Sequence, residues 1–195
     1  MTATLTAIEF TSVDGVMQGL GSPDEDRDGG FALGGWGASY AAGVAEIGAR
    51  GAVETQAYLF GRRTFEKMAA FWPSQPDENP FAASLNSRPK YVVSSTLRDP
   101  EWAHTTVLEG EPSRSVAKLK EQGEGTIAIL GSGVLVHELM LAELIDEFFL
   151  FIHPLLLGAG KRLFRELPHP TTLKLADVSS TSLGSIAVRY TLEGR

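Results

Sequence analysis

The sequence predicts an α/β fold: a mixed sheet, parallel through its core, with helices on its faces and an antiparallel hairpin at its end. Two observations predict it. Short apolar runs alternate with segments of helical spacing through most of the chain, the order that builds strand-helix-strand units. The last two runs, Leu173 to Thr181 and Ser185 to Leu192, flank Ser182-Leu183-Gly184, a turn sequence that joins antiparallel strands.

The elements follow in order. Thr4 to Phe10 reads as the first strand. A glycine-rich loop runs from Asp14 to Gly35, and its polar centre, Ser22 to Gly30, reads as mobile. Trp36 to Ala49 carries small and apolar residues at helical spacing. Strands follow at Tyr58 to Phe60, Tyr91 to Ser94, His104 to Leu108, Ile127 to Leu130 and Glu147 to Ile152. Helices are expected at Thr64 to Phe71, Ser113 to Gln122 and Val134 to Leu144. Pro73 to Pro89, with four prolines, reads as a loop carrying a short turn. The run Phe148-Phe149-Leu150-Phe151-Ile152 is apolar on both strand faces, which suits a central buried strand.

At 195 residues the chain can bury one sizeable core, and a single domain over residues 1–195 is expected. Its 43% hydrophobic and 21% charged composition is that of a globular protein. No apolar run has bilayer-crossing length, and Met1 to Leu5 lacks the basic-then-apolar order of a secretory leader, so a cytoplasmic location is expected. The absence of cysteine excludes disulfides, thiolate catalysis and sulfur-ligated metals. A net charge of −7 argues against a nucleic-acid surface, whereas a local basic patch in an acidic chain fits a small phosphorylated ligand. His104, His137, His153 and His169 show no metal-ligand spacing and read as structural or solvated, so no metal is expected. Hydrolase chemistry has no G-x-S-x-G nucleophile to use.

Two strand exits carry the chemistry. Gln56 to Phe60 ends in Gly61-Arg62-Arg63-Thr64, and Thr126 to Leu130 ends in Gly131-Ser132-Gly133. A strand that ends in glycine and opens a helix leaves backbone N–H groups free beside the positive end of the helix dipole, which suits phosphate. The first exit adds two guanidinium groups and the Thr64 hydroxyl, with Thr64 expected to cap the helix. Taken singly, either turn is more often just a turn, and an arginine pair just a solvated one; their joint occurrence points to a dinucleotide. Ser94, Ser95 and Thr96 leave a third strand and can face a ribose or its 2′-phosphate, or simply start a turn. Gly158-Ala159-Gly160-Lys161 lacks the remaining residues of a Walker loop and reads as a loop lysine.

Ser12-Val13-Asp14-Gly15, Trp36, the two glycine exits, Ser94-Ser95, Asp146-Glu147-Phe148 and Pro154 to Gly160, in that order over nearly the whole chain, resemble the dihydrofolate reductase superfamily. The branch it is most similar to is the one holding the riboflavin biosynthesis reductase (RibD C-terminal) domain. The resemblance implies a three-layer α/β/α fold and NADPH as cofactor. It further implies that Val13, Met17 and Gly19 belong to a loop over the nicotinamide, and that Gly61, Arg62, Arg63 and Thr64 hold the pyrophosphate and 2′-phosphate. Ser94, Ser95 and Thr96 would surround that ribose. Gly131, Ser132, Gly133, Val134 and Leu135 would wrap the pyrophosphate and nicotinamide ribose, and Trp36 would border the substrate. A homodimer is a further implication. The acid that holds a pterin in true dihydrofolate reductases has no counterpart in Gly37 to Gly43, and the first carboxylate is Glu46, so folate reduction is not expected.

The function expected is transfer of hydride to a C=N or C=O bond of a small heterocyclic substrate, pterin- or pyrimidine-like. Asp14, Tyr40 and Tyr58, or a water molecule, are the candidate proton donors, although Asp14-Gly15 also reads as an ordinary turn. The alternative is an NADP(H)-binding sensor or partner-binding module without chemistry, and a third reading is a purely structural domain.

Overall fold

The computed structural model describes residues 2–49 and 54–192. Its elements are β1 (Thr4–Ser12), α1 (Ala41–Ala49), β2 (Thr55–Gly61), α2 (Arg62–Phe71), α3 (Pro80–Ser87), β3 (Lys90–Val93), β4 (Thr105–Leu108), α4 (Pro112–Gln122), β5 (Thr126–Ile129), α5 (Gly133–Leu141), β6 (Glu147–His153), β7 (Leu173–Ser180) and β8 (Ile186–Leu192). Short 3₁₀ turns occupy Asp28–Gly30, Trp36–Tyr40 and Trp72–Ser74. The strands form one eight-stranded sheet in the order β4-β3-β2-β5-β1-β6-β8-β7. The pairs β1/β5, β2/β5, β2/β3 and β3/β4 are parallel, whereas β6/β8 and β7/β8 are antiparallel. The fold class predicted from sequence is the one observed.

The chain divides into two compact units, and β1 contributes to both. The first holds the chain as far as Ala7 together with β2 through Asp146; the second holds Ile8 through α1 together with β6 through β8.

In the first unit, β2 and β5 are apolar runs buried on both faces, as parallel strands flanked by neighbours must be. Leu59, Phe60, Ile127, Ala128 and Ile129 are all buried, each large side chain contributing up to about 1.5–3 kcal/mol. Glu111 caps α4 by accepting from the Ser113 and Arg114 amides at 3.0 and 2.9 Å, with Pro112 at the first helical position. The Asp146 carboxylate accepts from the Leu5 amide at 2.7 Å and binds Lys120 Nζ at 2.7 Å.

The proline-rich stretch expected to be a loop instead contains α3. Pro80 stands at the first helical position, where its missing N–H costs nothing, and Asn79 Oδ1 accepts from the amides of Phe81 (3.0 Å) and Ala82 (3.3 Å). Lys90, fully buried, donates to the Leu85 and Arg88 carbonyls at 2.7 and 2.8 Å, covering the end of that helix. Its Nζ lies 4.9 Å from the centre of the Trp102 ring.

In the second unit, β6 is an inner strand, with Phe148, Phe149, Leu150 and Phe151 buried as the apolar run predicts. Val16, Phe31 and Trp36 form a second cluster with Leu20, Leu155 and Leu157 packed on it. The helix expected over Trp36 to Ala49 is split: residues 36–40 wind as a 3₁₀ turn before α1 begins.

Candidate functional site

The two glycine exits meet. The Gly61 amide donates to the Gly131 carbonyl at 3.3 Å, and the Leu130 amide donates to the Leu59 carbonyl at 3.2 Å one step below. A β-carbon on Gly61 would stand 2.8 Å from Ser132 Oγ, and one on Gly131 would stand 3.3 Å from Thr64 Oγ1. Gly131 has φ +69°, a backbone conformation that disfavours any side chain, and the Gly131–Ser132 peptide is cis. Both turns are therefore kept free of side-chain bulk by packing as well as by residue type.

The first helix turn of α2 is Arg62, Arg63 and Thr64, and no side chain caps it. Thr64 is not the cap expected from sequence. Gly61 occupies that position, and Thr64 sits inside the helix, where its hydroxyl faces Gly131. Arg62 is held by Glu66 one turn later at 2.8 Å. Ser132 caps α5, reaching the Leu135 amide at 3.5 Å. Gly133 and Leu135 are buried and Val134 is exposed. Ser94 Oγ accepts from the Thr96 and Leu97 amides at 3.1 and 2.9 Å, so its hydroxyl shapes the turn that presents Ser95 and Thr96 to solvent.

The profile of the RibD C-terminal domain family matches residues 3–188. The chain belongs to the RibD C-terminal domain family. Two proteins of Bacillus subtilis (strain 168) are similar to it in sequence. The uncharacterized protein YyaP is 29% identical over 143 residues, covering 70% of this chain and 73% of its own length. The uncharacterized protein YwjB is 29% identical over 117 residues, covering 60% and 63%. Solved structures share the fold. A Shewanella sp. PV-4 protein ascribed to riboflavin biosynthesis superposes with a TM-score of 0.68 at 20% identity, covering 99% of both chains. Dihydrofolate reductase from Enterococcus faecalis, complexed with NADP(H) and RAB-propyl, gives 0.58 at 18% identity over 97% of this chain and 96% of its own. A pyrimidine reductase-like protein from Corynebacterium diphtheriae gives 0.55 at 15% identity over 98% and 92%.

Within the second unit of this RibD C-terminal domain, the segment from Val13 to Gly19 is clipped to residues 155–163. Val13 N donates to Leu155 O at 3.0 Å, Met17 N to Lys161 O at 2.9 Å and Leu163 N to Gly15 O at 3.0 Å. Gly19 O accepts from Gly35 N at 2.7 Å. The Asp14 carboxylate accepts from the Ser12 hydroxyl (2.6 Å) and from the Leu157 (3.1 Å) and Gly158 (2.8 Å) amides. The Ser12 hydroxyl first, and then the two amides, lower its pKa to about 2. Asp14 is thus an ionised structural acceptor at neutral pH, unsuited to giving a proton.

The loop centre read as mobile is pinned. Lys161 Nζ binds Asp26 and Asp28, its amide donates to Gln18 Oε1 at 2.9 Å, and Gln18 Nε2 donates back to the Asp26 and Asp28 carbonyls at 3.2 and 3.0 Å. The lysine of the Walker-like run has a structural task that needed its distant partners to be visible.

Tyr58 is buried in β2, its hydroxyl 2.7 Å from Ser84 Oγ on α3, and burial raises its pKa. Glu46 binds the turn between β7 and β8, accepting from the Ser182 amide at 3.0 Å and from the Ser182 hydroxyl. Trp36 donates through Nε1 to the Gln18 carbonyl at 2.7 Å.

Sequence reasoning set His153 among the structural or solvated histidines and gave it no place in a site. It ends β6 on the same face as Phe151, a placement that strand alternation could have revealed. Tyr40 stacks on its ring at 4.6 Å, Trp36 meets it edge-on at 5.7 Å and Phe10 lies parallel at 6.2 Å. Nδ1 is 2.8 Å from Ser185 Oγ, while Nε2 has no hydrogen-bond partner among the described residues. Burial lowers the pKa of His153, so the ring is neutral at pH 7. A buried polar atom without a partner costs about 1–3 kcal/mol.

Proposed function

We propose that the chain is an NADPH-dependent reductase that transfers hydride to a C=N or C=O bond of a small heterocyclic, pterin- or pyrimidine-like substrate. One observation carries the reading: Gly61 and Gly131 lie in direct backbone contact, so two side-chain-free turns and the uncapped first turn of α2 form a single anion cradle. The residues fit the coenzyme. The α2 amides and Arg62 and Arg63 would hold its phosphates, Ser95 and Thr96 would border the adenosine ribose, and Gly131 to Gly133 would admit the pyrophosphate to the backbone. Membership of the RibD C-terminal domain family and a fold shared with an NADP(H)-complexed reductase support it.

Bound NADPH supplies the hydride. The chain's own part is to bind, orient and keep water from the reacting atoms. Glu46, tied to the β7–β8 turn, is not a pterin anchor, which favours acceptors other than folate.

The second reading, a nucleotide-binding module without chemistry, gains from the ties on Asp14 and Tyr58, two of the candidate proton donors. NADPH oxidation measured against pterins, flavins, quinones and imines separates the two: turnover supports the reductase, and binding without turnover on any of them supports the module. Replacing Arg62 and Arg63 together with Ala should weaken NADPH at least tenfold, roughly 1.4 kcal/mol, more than NADH. Equal losses would remove the 2′-phosphate assignment, and no NADPH binding at all would remove both readings.

A further inference from the structure

His153 is used by nothing in the reductase reading above, yet its surroundings are specific. Ser185 is fully buried, and the one acceptor within reach of its hydroxyl hydrogen among the described residues is His153 Nδ1. The neutral imidazole therefore carries its proton on Nε2, as a donor with nothing to donate to. Ser185 is itself held in register: its amide donates to Thr181 Oγ1 at 3.1 Å and its carbonyl accepts from the Thr181 amide at 2.9 Å. The imidazole is consequently fixed in tautomer and in orientation from below.

Rings surround the rest of it. Phe10 is fixed in the sheet and Trp36 is tied through its indole nitrogen, whereas Tyr40 is half-buried and ends a five-residue 3₁₀ turn. Nε2 is closed from solvent. A core histidine normally finds partners for both nitrogens. One that lacks a partner while set among aromatic faces has the makings of a recognition point for a flat ring with a hydrogen-bond acceptor on its edge.

We propose that Tyr40 swings aside to admit a flat heteroaromatic ligand among Phe10, Trp36 and Tyr40, and that His153 Nε2–H donates a hydrogen bond to an acceptor atom on its edge. The imidazole stays neutral throughout, since loss of the Nε2 proton while Nδ1 holds the serine hydrogen bond would leave an imidazolate.

Lumazine, a planar pteridine with carbonyl acceptors, is the probe, used with the full chain labelled at histidine with ¹⁵N. On addition of lumazine to wild-type protein, the Nε2–H proton resonance of His153 should move downfield. His153→Phe keeps the ring and loses the donor, and should bind lumazine about tenfold more weakly; His153→Gln restores a donor and should recover to within about threefold. Both variants should retain the wild-type circular dichroism and NADPH affinity. Lumazine binding to His153→Phe at wild-type strength, an unmoved Nε2 resonance, or no lumazine binding by the wild-type protein would each overturn the proposal. Loss of NADPH binding in the wild-type protein, with the lumazine effects intact, would sink the coenzyme reading and leave the His153 donor standing.

Discussion

Lys161 Nζ stands 2.7 Å from Asp26 Oδ2, a contact between positions far apart in the chain that holds an otherwise polar loop in place. Lys161→Met should release that loop. The partners are partly exposed, so global stability should fall by less than about 1 kcal/mol, while tryptic cleavage after Arg27 should accelerate several-fold. Raising the salt concentration should produce part of the same effect in the wild-type protein. Unchanged cleavage would show that the clasp does not restrain the loop.

Gly131→Ala places a side chain at φ +69° and 3.3 Å from Thr64 Oγ1, whereas Gly15→Ala, at φ +80°, meets nothing within 4 Å. Gly15→Ala should cost only the conformational penalty, about 1 kcal/mol. Gly131→Ala should cost more and should also weaken NADPH, measured by thermal midpoints with and without coenzyme. Equal effects of the two substitutions would argue that the Gly131 turn is not crowded.

His153 has a pKa lowered by burial, so the unfolded chain binds a proton that the folded chain refuses between the folded pKa and 6.5. Stability contributed by the neutral ring is complete above pH 6.5 and declines as the pH falls through that window. The denaturation midpoint of the wild-type protein should drop between pH 7.5 and 5 by more than that of His153→Phe. Parallel curves for the two proteins would contradict the buried, neutral assignment.

Lys90 titrates at about 8, brought down from 10.5 by burial. Between those values the unfolded chain holds the extra proton, so stability referable to this group rises with pH across the window. The stability difference between wild type and Lys90→Met should therefore shift in favour of the wild type from pH 8 to 10, read by urea denaturation. A difference that stays flat would mean that the ammonium is better solvated than its carbonyl partners suggest.

The inner strands were legible because β2, β5 and β6 are largely apolar runs, a pattern that survives without tertiary information. Gly61 and Gly131 were legible for the same reason, each standing where an apolar run breaks off. The clasp was hidden because Asp26 and Lys161 lie 135 residues apart. Helix α3 was hidden by its prolines, although Asn79-Pro80 is a sound helix start once the cap is considered. Nothing local distinguishes His153: its tautomer depends on Ser185 and its enclosure on Tyr40, both supplied by other elements.

The strand β1 is made well before β5 yet pairs with it, Thr4 lying opposite Thr126. A nascent chain therefore carries this apolar strand without its β5 partner until β5 has left the ribosome. Such distant pairing slows assembly and leaves an edge exposed to other chains meanwhile. The placement of β1 in the sheet thus waits on the synthesis of a segment far along the sequence.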